Sequence, residues 1–382
     1  MTTPHARLDR ASLVAAISTV SIVGIGLSLT IPLLSMRLEQ AQVPAWFNGV
    51  NTAIAGLATL VGAPFVPRVA QRVGVWRLLV AALGVGILTL LAFAATDRPA
   101  LWLALRLPFG FALTTLFVIG EYWVVAAAPP ARRGFIMGIY ATVLSLGFAI
   151  GPALLMTIGA QGIAPFMAGA VLFAVAGLPV ALARGRTPEL EPSAAAPVLR
   201  FLGAAPVATL AALAFGAVET GGMGLFPVYA LRAGFGEAAG PLLVTLVAVG
   251  NMIFQIPLGW AADRFDKPRF LVALAAFGLA GASIMPFAAH FGLWTLGAVL
   301  LIWGGVVSGM YTVGLAHLGA RFTGAELASA NAAFIMFYAL GMLAGPPALG
   351  SALDVWSPNG LFFGLTALFA AYLGAIALRG RS

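Results

Sequence analysis

The chain has no cysteine, three histidines and only 8% charged residues in a length of 382. Without cysteine there is no disulfide framework, no thiolate nucleophile and no zinc site of the cysteine type. Soluble domains carry about 25% charged residues. This chain is instead 61% hydrophobic, more apolar surface than a water-soluble fold can hide. Also missing are a GxxxxGK[ST] phosphate loop, an HExxH pair and a GxSxG elbow, and no nucleophile has a base nearby. No stretch between the apolar segments is long enough for a nucleotide-binding domain, so any work must draw on an ion or substrate gradient. His317 falls at the inner end of the tenth apolar segment and His290 in an outer loop. Neither has an acidic or histidine neighbour in sequence, so no metal, cofactor or catalytic group is expected.

What is present is a series of apolar runs. They cover residues 12–36, 46–66, 75–96, 100–127, 134–157 and 163–183, then 205–231, 239–261, 270–289, 293–316, 326–350 and 360–378. A spanning helix needs roughly 20 apolar residues, and with a short loop about 30, so the length accommodates about twelve passes through a lipid bilayer. The first run follows Arg7 and Arg10 and is too long for a signal-peptide core of about 7 to 15 residues, so a retained first span is expected. The only long interruption is Arg184–Arg200, with Pro188, Glu189, Glu191, Pro192 and Pro197. It reads as a linker, 184–204, between two six-helix bundles at 1–183 and 205–382.

The net charge of +8 is distributed by side. With both termini and the linker in the cytoplasm, Arg7, Arg10, Arg68, Arg72, Arg77, Arg132, Arg133, Arg184, Arg186, Arg200, Arg264, Lys267, Arg269, Arg321, Arg379 and Arg381 all lie inside. These are sixteen of the twenty Lys and Arg residues; Arg37, Arg98 and Arg232 fall outside and Arg106 within a span. This is the positive-inside bias of an inner-membrane protein, and it explains the basic charge without a nucleic-acid partner. The halves also repeat. Gly147, Gly151 and Pro152 return as Gly341, Gly345 and Pro346 at an offset of 194, as does Gly120 as Gly314. Gly74 pairs with Asp266 at 192, and Pro32 with Pro227 at 195. Proteins built from such a duplicated six-helix unit bind substrate near the bilayer midplane.

Three charges within spans are candidates for chemistry. Glu219 stands mid-span in Ala217-Val-Glu219-Thr-Gly-Gly222-Met-Gly224. An ionised carboxylate is costly there, so it faces water, pairs or is neutral. It either binds substrate or a proton, or hydrogen-bonds across helices as a structural group, and the flanking glycines weaken its helix. Arg106 and Glu121 share the fourth span, about 22 Å apart along its axis, too far to pair. Arg106 either serves a cavity or snorkels to the surface. Glu121, beside Tyr122 and Trp123, is either a site or an interfacial carboxylate. Asn51, Asn251, Gln255, Tyr311, Asn331 and Tyr338 are the other polar span residues, each a ligand contact or a bond between helices.

Four short segments carry a family resemblance. The loop Gly259-Trp-Ala-Ala-Asp263-Arg264-Phe-Asp266-Lys267-Pro-Arg269 resembles the loop motif of the major facilitator superfamily. The resemblance implies a glycine where helices approach, an aspartate at a helix end and basic residues latching neighbouring helices; an ordinary basic turn is the alternative. Its first-half copy, around Arg72 and Gly74, has Gln71 in place of the aspartate. Arg106 and Gly110 resemble the fourth-helix motif of drug/proton antiporters, with Phe109 where glutamine is usual. Gly138, Gly147 and Gly151-Pro152 are similar to the antiporter signature of the fifth helix, with Leu155-Met156 replacing its last glycines, although glycines so spaced also mark close packing. The spacing from Arg106 to Glu121, the run from Gly250-Asn251 to Gly259, and Asn331 through Tyr338 to Pro346 look like the YcaD-like permeases.

The resemblance implies an all-α, twelve-helix membrane fold in two pseudo-symmetric bundles and alternating access between them. The expected function is proton-coupled export of a small amphipathic organic compound by a monomer in a bacterial inner membrane. Import or facilitation of a metabolite, and a non-transporting scaffold, are the alternatives.

Overall fold

The computed structural model describes residues 10–128, 133–188 and 200–379. Arg7, Arg132, Arg381 and the linker interior with Glu189, Glu191, Pro192 and Pro197 lie outside the described residues.

Each apolar run is helical, because a chain with no water to bond its amides must satisfy them along its own axis. The first half forms α1 (Arg10–Gln40), α2 (Ala45–Gly62), α3 (Val66–Val73), α4 (Val75–Ala94), α5 (Pro99–Ala127), α6 (Arg133–Ile158) and α7 (Ala164–Leu182). A short α8 (Arg200–Ala204) precedes α9 (Pro206–Arg232), α10 (Ala239–Arg264), α11 (Lys267–His290), α12 (Leu293–Arg321), α13 (Gly324–Val355) and α14 (Gly360–Arg379). Among the described residues ten helices are long and apolar enough to cross a membrane, and α2 with α3 makes an eleventh segment bent by 63°. In α6 the apolar part described is Thr142–Ile158. The second run, expected to continue to residue 66, breaks after Gly62. Pro64 and Pro67 interrupt the amide ladder there, and α3 turns Arg68 and Arg72 outward.

The helices pack as two compact units. The first comprises the described residues of 1–30, 58–154 and 160–193. Its core is an aromatic stack: Phe93 meets Phe109 edge-on at 6.1 Å and lies over Phe166 at 6.1 Å, and Phe109 lies over Phe173 at 5.9 Å. The second comprises 31–57, 155–159 and the described residues of 194–382, with a core around Phe226, Trp303, Phe362 and Phe369.

The sequence repeat appears in both units as the same kind of seam. In the first, a Cβ on Gly147 would come within 2.8 Å of the Ser21 carbonyl on α1, and one on Gly24 within 3.0 Å of Leu144 O. Ser28 closes the seam by donating to Gly147 O at 3.0 Å. In the second, a Cβ on Gly341 would strike the Leu213 carbonyl of α9, and one on Gly345 would lie 2.8 Å from Ala217 O. The glycines at the 194-residue offset thus let helix backbones touch, the arrangement that favours association without a hydrophobic driving force.

Gly341→Val forces this seam apart and is expected to cost about 1–3 kcal/mol, the usual penalty of overpacking. Gly259→Ala meets nothing within 4 Å and changes stability by less than about 1 kcal/mol. Thermal denaturation in detergent separates the two, with a lower midpoint for the valine variant alone.

Candidate functional site

In the second unit, α9 and α13 lie backbone to backbone, and this closeness brings Tyr338 to Glu219. The Tyr338 hydroxyl donates to Glu219 Oε2. Glu219 and Tyr338 both remain partly exposed in the middle of their helices, so the pair is reachable and not sealed in the core. The Tyr338 ring stacks on Phe215 at 6.2 Å and meets Tyr311 edge-on at 5.5 Å, and Tyr311 meets Phe334 at 5.2 Å. A carboxyl group with one phenolic partner and three further rings behind it can take a proton or a cation and cover the apolar part of an organic molecule. Glu219, Tyr311 and Tyr338 are legible in the sequence as single polar residues in spans. Phe215 and Phe334 are not, because a phenylalanine in an apolar run carries no signal.

Other expected residues of this unit are placed separately. Gln255 donates to Thr312 Oγ1 at 2.7 Å on the neighbouring helix, a bond between α10 and α12. Asn251 and Asn331 are partly exposed, and Asn51 is fully buried on α2.

In the first unit, Arg106 is 2% exposed, so the guanidinium does not snorkel to the surface. It donates from Nη1 to Thr30 Oγ1 and from Nη2 to Thr30 O, both at 3.1 Å. Glu121 has its own phenolic partner, Tyr140 on α6, which donates to Oε1 at 2.8 Å. The spacing of charges on one helix gives no hint of Tyr140. Tyr122 points outward at 37% exposure. Trp123 is buried and donates to Ser12 Oγ at 2.9 Å, while Ser12 donates to the Arg186 carbonyl at 3.1 Å, which ties the ends of three segments together.

The expected gating loop has a local structure. Two aspartates stand at helix ends here, and Asp266 caps α11 by accepting from Arg269 N at 3.1 Å. Asp263 lies exposed in the last turn of α10. Arg264 covers the Trp260 ring at 3.7 Å, and Lys267 opens α11. Gly259 faces open space, Gly74 takes a left-handed φ of 96° between α3 and α4, and Arg72 is exposed. Gly151 belongs to the seam with α1, where an added Cβ would strike Ser28 and Leu29, and Pro152 follows it inside α6. Among the described residues no group of three or more His, Cys, Asp or Glu side chains could hold a metal ion.

One cluster carries no signal in the sequence. Arg232, at the end of α9, donates through Nε to Glu39 Oε1 at 2.7 Å and through Nη2 to Glu39 Oε2 at 3.0 Å. Its Nη1 donates to Asp354 Oδ1 at 3.0 Å. The partners lie 193 and 122 residues away, so no local pattern announces them.

Comparison with known proteins agrees with this architecture. The family model of the Major Facilitator Superfamily matches residues 16–249 and 236–381. The uncharacterized MFS-type transporter YfkF of Bacillus subtilis is 26% identical over 370 residues, spanning 94% of this chain and 93% of the relative. The uncharacterized MFS-type transporter YcaD of Salmonella arizonae is 23% identical over 351 residues, 89% of this chain and 88% of its own. Among solved structures, a point mutant of the nucleoside transporter NupG superposes with a TM-score of 0.78 at 14% identity, covering 96% of this chain and 98% of that one. A bacterial homolog of the human lysosomal transporter Spinster, inward-facing and unoccupied, superposes at 0.72 with 13% identity, covering 97% and 95%.

Tyr338→Phe keeps the ring stack and removes the hydroxyl that donates to Glu219. The expected loss is about 0.5–1.5 kcal/mol, the net contribution of one hydrogen bond at a partly exposed site. Thermal denaturation of the variant and the wild type in detergent reads this as a lower melting midpoint.

Proposed function

Because this chain belongs to the major facilitator superfamily and is a multi-pass membrane transporter of a small molecule, we propose that it works by alternating access with the Glu219–Tyr338 pair as its coupling site. In this reading Glu219 exchanges a proton, and a small amphipathic organic compound lies against Tyr311, Tyr338 and Phe215. The observation that carries it is a mid-span carboxyl group with a phenolic partner, partly exposed and backed by aromatic rings. A carboxyl group of that kind is retained in a span at a cost and is by default functional. Glu121, with Tyr140 as its partner, is a second carboxyl–phenol pair and a further proton site. Arg106, anchored on Thr30, supplies a fixed positive charge in the other unit.

Export is the proposed direction, supported by the likeness of the α6 glycines to those of antiporters. The two halves, 1–183 and 205–382, move as the two bundles, with the loop from Gly259 to Arg269 gating on the cytoplasmic side. The protein acts as a monomer in a bacterial inner membrane with both termini in the cytoplasm, as the charge bias favours. Import of a metabolite uses the same site without proton exchange.

The test begins with a compound that raises the melting temperature of the purified protein. In proteoliposomes that compound drives proton movement with the wild type. Glu219→Gln abolishes the proton signal and keeps counterflow of the compound. Proton movement at the wild-type rate in Glu219→Gln overturns the assignment, and wild-type counterflow with no proton signal turns the reading to facilitation.

A further inference from the structure

Four helix ends meet at one place in the second unit, and they come from both halves of the sequence. α1 ends there with Glu39, α2 begins with Ala45 and Trp46, α9 ends with Arg232, and α13 ends with Asp354. Arg232 grips Glu39 with two parallel N–H groups and Asp354 with a third, so a single cation bridges α1, α9 and α13. The three side chains are 18%, 14% and 25% exposed. A bidentate guanidinium–carboxylate fork at that depth is stronger and more directional than an exposed pair. Asp354 does more than face Arg232. Its Oδ1 accepts from Ala45 N at 3.0 Å and its Oδ2 from Trp46 N at 2.9 Å, which caps α2. The acid that α13 gives to Arg232 therefore also holds the start of α2.

Behind this cluster α2 and α13 run antiparallel with their backbones touching. A Cβ on Gly49 would come within 2.7 Å of Pro347 Cα, one on Gly56 within 2.8 Å of Leu343 N, and one on Gly350 within 3.0 Å of Trp46 Cα. The seam is tight, and beside it the contact of α1 and α2 with α9 is not apolar. It buries Ser35, Asn48 and Thr52 at 0%, 2% and 1% exposure. Ser35 donates to Asn48 Oδ1 at 2.9 Å, yet Asn48 Nδ2 and Thr52 Oγ1 find no partner. A Cβ on Gly224 of α9 would lie 2.9 Å from that Thr52 oxygen and 3.6 Å from Ser35 Oγ, so the polar groups face α9. Unmet donors are costly to bury, and a joint that stayed shut would do better with hydrocarbon. Groups of this kind are at home on a surface that is wet for part of the time.

We infer that Arg232 is the positioning residue of a reversible closure, holding Glu39 and Asp354 together so that α2 seals on α9 and α13 and hides the Ser35–Asn48–Thr52 surface. The inference rests on the alternating-access reading above but not on any role of Glu219. When Arg232 releases its two acids, α2 loses the connection between its cap and α9, the glycine seam parts, and the three polar side chains line the opened passage. By the charge bias that passage faces the outside.

The absence of cysteine lets a single introduced thiol report this. Thr52→Cys, close in size to the threonine it replaces, is made in the full-length protein in proteoliposomes and probed with a membrane-impermeant maleimide. With Arg232 intact the thiol reacts slowly. Adding Arg232→Gln raises its rate about tenfold, the population change expected for losing one strong ion pair. Arg232→Lys restores part of the protection, because one charge remains without the fork. A thiol at Ser308, 4% exposed on α12, stays unreactive in every background, which separates opening from general loosening. Should Arg232→Gln not fold, Glu39→Gln is expected to give the same increase. Equal thiol reactivity with and without Arg232 in folded protein, or a parallel rise at the Ser308 position, overturns the proposal. Because the readout needs neither substrate nor proton, its failure is distinct from a failure of the Glu219 assignment.

Discussion

The hydrogen bond from Tyr338 to Glu219 depends on glycine. α13 reaches α9 closely enough to offer that hydroxyl because Gly341 and Gly345, and Gly216 against Tyr338 itself, carry no side chain where the two backbones meet. A larger residue at any of these positions would hold the helices apart and leave a carboxyl group at mid-span without its phenol. In a bilayer that loss is felt, since helices there have no hydrophobic driving force between them to compensate it. The packing seam and the candidate coupling site are therefore one construction, and the residues that look structural set the geometry of those that look chemical.

The same economy is visible at the helix ends. Asp354 caps α2 and binds Arg232 with one carboxylate, so the start of one helix and the end of two others are fixed together. Beneath it, Asn48 and Thr52 are buried with polar atoms unmet, whereas in the aromatic core of the same unit the Trp303 indole donates to Gly278 O at 2.8 Å and the Tyr372 hydroxyl to Val207 O at 3.2 Å. One interface is built to be permanent and the other carries groups suited to water. In the proposed closure, that contrast sets which joint opens.

Much of the fold was legible in the sequence because bilayer physics makes it so. Long apolar runs become helices, and the run boundaries match the helices to within a few residues, except where Pro64 and Pro67 break the second run into α2 and α3. The 194-residue repeat of Gly147 and Gly151 as Gly341 and Gly345 is readable, and its meaning as a pair of seams follows once the neighbours are known. The site was legible only in part. Glu219 and Glu121 stand out because charge is rare in a span, but their partners Tyr338 and Tyr140 are chosen by tertiary packing, as are the rings of Phe215 and Phe334. Asp263 holds the aspartate place in the loop motif, but the backbone ends α10 one residue later, at Arg264, and leaves Asp266 to cap α11. Arg232 does not stand out because helix-terminal charges are common, and only the fold reveals that Glu39 and Asp354 converge on it.

The proposed coupling role requires Glu219 to change its protonation or its hydrogen bonding when the transported compound binds. Infrared difference spectroscopy of the protein with and without a stabilising compound observes the carboxylic C=O stretch directly. A difference band that vanishes in Glu219→Gln and shifts in Tyr338→Phe is the expected result. A carboxyl spectrum that compound binding leaves unchanged, or a band that persists unaltered in Glu219→Gln, would contradict it.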